Sequence, residues 1–134
     1  MKIGIYNHQY LRGACPGCYK YYLEGMKSDA AKSVKKAIEI YGNDIEIVNF
    51  TDIGPYPNAS VDRPGYRRML EAVRNREIDV LVVYKLGSIS SEIDHIMETY
   101  KILKDNDVHI ITALDGKAAE EFLEKALVEW SNRK

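Results

Sequence analysis

Short apolar runs alternate with helical apolar stripes along this 134-residue chain. Lys2 to Tyr6 (KIGIY), Ile45 to Phe50, Val80 to Tyr84 and Val108 to Ala113 are runs of strand length. The third run is continuously apolar, the mark of a strand covered on both faces. Between the runs, apolar residues recur at helical spacing. Ala30, Ala31, Val34, Ala37, Ile38 and Tyr41 form one stripe, opened by Ser28 or Asp29 as a cap and closed by Gly42. Tyr66, Met69, Leu70 and Val73 form a second, behind Asp62 as cap and Pro64 in the first turn. Ile93, Ile96, Met97, Tyr100 and Leu103 form a third, with Ser90 or Ser91 as cap. Phe122, Leu123, Ala126, Leu127 and Trp130 form a fourth, from Ala118 onward. Residues 7–28 show no clean period and are expected to be a long loop.

The order βαβαβαβα predicts an α/β fold of three layers, a mainly parallel sheet flanked by helices. One domain is expected, with a core over residues 1–117 and a terminal helix over 118–134. In such sheets, binding and catalytic groups gather where strands end. That points to the loops after Tyr6, Phe50 and Tyr84.

Composition leaves this picture unchanged. With 46% hydrophobic and 29% charged residues, the chain reads as an ordinary globular domain. No apolar run reaches the roughly 20 residues of a membrane span. The opening MKIGIYNHQY lacks the basic-then-apolar layout of a signal peptide, so a cytoplasmic protein without a membrane partner is expected. The net charge of −1 is uneven. Residues 1–76 hold 12 Lys and Arg against 8 Asp and Glu, a balance of +4; residues 77–134 hold 7 against 12, a balance of −5. Total charge therefore does not demand a nucleic-acid partner, while a basic face in the first half can still bind phosphates.

The stretch DRPGYRRMLEAVRNREIDVLVVYKLGSISS, residues 62 to 91, carries more specific information. Arg63-Pro64 opens a helix, Ile78-Asp79 leads into an apolar strand, and the strand ends in Lys85-Leu86. This frame resembles the catalytic domain of serine recombinases, the resolvase and invertase family. Phe50-Thr51-Asp52 resembles the family's second-strand exit, whose Asp belongs to the active site. VHIITALDG resembles its fourth strand and the turn before its long helix. The resemblance implies a resolvase-like fold, DNA as partner, and a dimer or higher oligomer formed through the 118–134 helix. It implies no cofactor.

The same resemblance shows what has changed. The family places Tyr, any residue, Arg, Val, Ser after its first strand; here Tyr6, Asn7, His8, Gln9 and Tyr10 stand there. The family's Asp-Arg and following Arg are here Gly87, Ser88 and Ser91. Its reaction attacks a DNA phosphodiester with a serine hydroxyl. Guanidiniums then stabilise charge on the nonbridging oxygens. By position, the candidate catalytic residues are Tyr10, His8, Asp52 and Arg63. The candidate DNA contacts are Arg63, Arg67, Arg68 and Lys85. With most of the arginines and the serine absent, the expectation is a recombinase-like domain impaired in catalysis, acting by DNA or protein association. One alternative is a divergent phosphoryl-transfer enzyme using Tyr10, or a displaced serine among Ser88, Ser90 and Ser91.

Cys15 and Cys18 open a third reading. A C-x-x-C pair can chelate a metal, with His8 as a further ligand, or cycle as a redox disulfide. A small α/β metal or redox protein is therefore the second alternative. Tyr19, Tyr21 and Tyr22 cluster in the same stretch as an aromatic lid or partner contact.

Overall fold

The computed structural model describes residues 1–10, 16–54 and 63–133. Its strands are β1 (Lys2–Tyr10), β2 (Glu46–Gly54), β3 (Val80–Val83) and β4 (His109–Thr112). Its helices are α1 (Pro16–Tyr41), α2 (Pro64–Arg74), α3 (Ile93–Asp105) and α4 (Ala118–Asn132). A short 3-10 turn, Leu86–Ser88, follows β3. All strand pairs are parallel, in the order β2-β1-β3-β4.

Strand alternation divides the core into two layers. Ile3, Ile5, Val80, Val82 and Ile111 point to one face, where α1 covers them with Val34, Ala37 and Ile40. Tyr6, Phe50, Leu81, Val83 and Ile110 point to the other. There they meet Tyr66, Met69 and Val73 of α2, Met97, Tyr100 and Leu103 of α3, and Leu123 of α4. Three layers of helix, sheet and helix result, as the apolar pattern predicts.

Several boundaries differ from the sequence reading. β1 runs on to Tyr10, because Asn7 to Tyr10 pair with Thr51 to Gly54 of β2. β3 pairs only with Ile3 to Tyr6, so this ribbon extends beyond the shared sheet. Polar residues are tolerated there, and the apolar pattern stops early for that reason. From Pro16 on, the expected loop is helix: α1 begins there, and Ser28 and Asp29 lie inside it. The Asp29 carbonyl accepts a bond from Ser33 Oγ, as an interior helical residue does. The early turns of α1 leave Tyr21 73% exposed, so no apolar period is needed where no core is covered. On α1 the inward face uses Ile40, while Ile38 is exposed.

In α3 the N-cap is Glu92, without a side-chain cap; Ser90 Oγ instead accepts from the Glu92 N–H at 3.0 Å. Ile93, expected inward, is exposed, as is Phe122 on α4. Gly42 has φ +87°, the left-handed conformation expected of a helix-ending glycine. Among the described residues no helix is long and apolar enough to cross a membrane.

Candidate active site: a buried polar cluster at the strand ends

β1, β2, α2 and the turn after β3 converge at the carboxyl end of the sheet. His8 of β1 lies beside Asp52 of β2 in register. Asp52 is buried and its carboxylate is heavily used. Oδ1 accepts from the Gly65 N–H at 2.7 Å, and Oδ2 accepts from the Tyr66 N–H at 2.8 Å. These are first-turn amides of α2, which have no partner within their own helix. The α2 N-cap residue is Arg63, whose side chain makes no capping bond. Asp52 therefore caps α2 from a neighbouring strand, and its negative charge suits the helix N-terminus.

This capping needs close approach. A Cβ on Gly65 would lie 2.5 Å from Thr51 O and 2.8 Å from Thr51 C. Both are backbone atoms and cannot swing aside. Gly65→Ala is expected to push α2 off β2 and cost about 1–3 kcal/mol, the range for overpacking. Urea denaturation checks this; an unchanged midpoint would contradict the packing account.

The third group on Asp52 is Tyr6, whose hydroxyl donates to Oδ2 at 2.7 Å. Burial first, and the Asp52 hydrogen bond second, push this phenol far above its usual range, so it stays protonated. The same oxygen accepts from Arg63 Nη1 at 3.1 Å. Arg63 Nη2 donates to the Ile89 carbonyl. The guanidinium carbon sits 4.5 Å from the Tyr66 ring centroid and 5.6 Å from that of Tyr6. Arg63 is 0% exposed. A residue expected to reach for phosphate thus faces the protein interior. There it ties the turn after β3 to β1 and α2.

A second cluster adjoins the first. Thr99 Oγ1 donates to the His95 carbonyl at 2.9 Å, which uses its only proton. Tyr66 O–H must then donate to Thr99 Oγ1, at 2.5 Å. Tyr66 oxygen is left to accept from His95 Nε2, at 3.0 Å. Neutral His95 is therefore the Nε2–H tautomer, and its Nδ1 is a buried acceptor with no hydrogen-bond partner among the described residues. Burial, then the nearby Arg63 charge, holds the imidazole below its ordinary pKa.

The unfolded chain holds the His95 proton up to about pH 6.5, while the folded chain releases it at lower pH. The stability this favours is complete above about pH 6.5 and is lost as pH falls through the folded value. Tm is expected to drop between pH 7 and 5, and His95→Gln to flatten that drop. Equal slopes in the two proteins would contradict it.

Among the other expected site residues, His8 borders the cluster. His8 is half-buried and stacks on the Tyr6 ring at 6.5 Å. Tyr10 ends β1 opposite Gly54, and its side chain lies outside the described residues. Cys15 lies outside them too, as does the side chain of Cys18, a residue of α1. Arg67, Arg68 and Lys85 are exposed. Ser90 is buried and Ser91 exposed, on either side of the cap bond already described. The sequence reading missed Tyr66, His95 and Thr99 as a polar unit. Their signal was present: His95 and Thr99 are four residues apart on a helix face otherwise apolar, opposite a tyrosine.

These features define a class, an open parallel α/β domain with its polar cluster at the strand ends. The resolvase N-terminal domain profile matches residues 25–129, and the chain belongs to that family, a resolvase-like serine recombinase domain associated with DNA recombination. The fold is similar to the N-terminal catalytic domain of TP901-1 integrase, with TM-score 0.68 and 18% identity, covering 99% of this chain and 98% of that one. It is likewise similar to a resolvase family site-specific recombinase from Streptococcus pneumoniae, with TM-score 0.69 and 21% identity over 98% of this chain and 89% of that one. A serine recombinase from Sulfolobus solfataricus gives TM-score 0.57 and 19% identity over 98% and 83%. No curated protein sequence matches the chain significantly.

Proposed function

We propose that this domain associates with DNA and with other recombinase-type chains without itself carrying out strand transfer. The complete burial of Arg63 carries this reading. Phosphoryl transfer needs several cations placed around the developing charge, and loss of one such donor typically costs about 100-fold or more. Here His8, Ser88 and Ser91 stand where the resemblance places arginines, and the remaining arginine is engaged inside the protein. Asp52 is engaged as a helix cap. What stays open to a phosphate backbone is Arg67, Arg68 and Lys85, all exposed. Self-association through the 118–134 helix draws support from Phe122 and Val128, which are 57% and 62% exposed on α4. Leu123 on the same helix is spent on the domain's own core.

The test is incubation with nicked plasmid and with short duplexes, analysed natively and after denaturation. Native complexes and no denaturation-stable adduct are expected. An adduct abolished by Tyr10→Phe would replace this reading with a tyrosine nucleophile. An adduct kept in that variant and lost in Ser88→Ala or Ser91→Ala would replace it with a displaced serine.

A further inference from the structure

The inner face of α2 buries Tyr66, Met69, Ala72 and Val73, and its outer face carries mostly charged side chains. At 100° per residue, Arg74, Arg67, Glu71 and Arg68 fall in that order across a stripe of about 120°. All four are exposed. Arg67, Leu70, Glu71, Arg74 and Asn75 line a shallow groove along it. No side chain of Arg67, Arg68 or Arg74 makes an ion pair or hydrogen bond with a described residue, although Glu71 lies among them. Three other cations are occupied: Lys36 pairs with Glu39, and Lys32 and Lys117 lie over tyrosine rings.

We infer that the outer face of α2 is a phosphate-tracking surface for duplex DNA, in which Arg67, Arg68 and Arg74 supply the cations and Glu71 restrains affinity. This rests on the reading that the domain associates with DNA. It adds Arg74 and Glu71, and it removes Arg63 from the contact surface. Guanidiniums suit the task, being permanently charged, weakly hydrated and forked. Arg67 and Arg74 are separated by about 10 Å along the helix, seven residues at 1.5 Å each. That span, with two long side chains, reaches phosphates on both sides of a groove about 6–12 Å wide. Such contacts carry no base information, so binding is sequence-tolerant and strongly salt-dependent. Glu71 lies in the path of the phosphates and opposes them.

The test is a salt titration of binding to a short mixed-sequence duplex, using the whole chain. The slope of log affinity against log salt is expected to fall by about 1 for each of Arg67→Gln, Arg68→Gln and Arg74→Gln, and by about 2–3 for the triple variant. Thermal melting of the triple variant is expected to match the wild type, because all three side chains are exposed. Lys101→Gln with Lys104→Gln, on α3, is expected to leave the slope unchanged. Glu71→Gln is expected to tighten binding about 1.5–5-fold, the size of one screened charge interaction. Binding by the wild type with an unchanged slope in the triple variant overturns this surface and leaves DNA association standing. Loss of self-association in the triple variant, with the slope unchanged, reassigns the face to a protein partner and likewise overturns it. No DNA binding by the wild type at any salt overturns both readings.

Discussion

Asp52→Ala is expected to lower the unfolding free energy by about 3–5 kcal/mol. The carboxylate accepts from the Gly65 and Tyr66 amides and from the Tyr6 hydroxyl, and all three bonds are buried. Alanine leaves three donors without an acceptor. A buried unsatisfied group costs about 1–3 kcal/mol, and bonds to a charged acceptor lie at the upper end. The N-cap residue Arg63 makes no side-chain capping bond that could take over. Asp52→Asn keeps one acceptor oxygen and turns an amide toward a donor, so a smaller loss is expected. Urea denaturation at pH 7 reads both; a loss under about 1 kcal/mol for alanine would contradict the capping role.

Arg63→Met is expected to cost a comparable 3–5 kcal/mol, the range for breaking a buried charged network by removing one partner. Methionine fills much of the volume but leaves the Ile89 carbonyl without the donor that Arg63 provides. It also takes one of the two bonds from Tyr6 OH. The effect has a second, local readout. The amides of Ser88 and Ile89 bond back to Lys85 and Leu86, closing the 3-10 turn. With Arg63 gone, that turn loses its tie to β1 and α2, and those two amides are expected to exchange faster than the rest of the core. Arg63→Lys supplies a single point donor in place of the fork and is expected to recover only part of the loss. Full stability in Arg63→Met, or unchanged exchange at Ser88 and Ile89, would show that Arg63 is not a bracket.

Much of the fold was legible because its signals are local. The four strand runs follow from short apolar stretches in a covered sheet, and the stripes of α2 and α3 from apolar residues at helical spacing. Errors fell where an element does not touch the core. The ribbon Asn7 to Tyr10 is held by backbone pairing to β2, which leaves no apolar trace. On α1, Tyr21 and Tyr22 are exposed, and a helical stretch whose large side chains face solvent gives no apolar period to read.

Two of the residues the resemblance singled out, Asp52 and Arg63, meet in one buried cluster through Tyr6. Sequence cannot say which way a guanidinium turns, because that depends on Tyr6 and Ile89, distant in the chain and joined only by folding. The same holds for Tyr66 and His95, 29 residues apart and in hydrogen-bond contact.

Asp52 and Arg63 are engaged inside the fold, one capping α2 and the other tying the turn after β3 to β1 and α2, and we propose that DNA meets exposed cations instead. The most direct test of that claim is NMR observation of the Arg63 guanidinium protons, assigned by comparison with Arg63→Lys. Resolved, slowly exchanging signals that do not shift on titration with inorganic phosphate or a short duplex are expected. Rapid exchange with water, or a shift of those signals on adding either ligand, would place Arg63 back at a phosphate and contradict that claim.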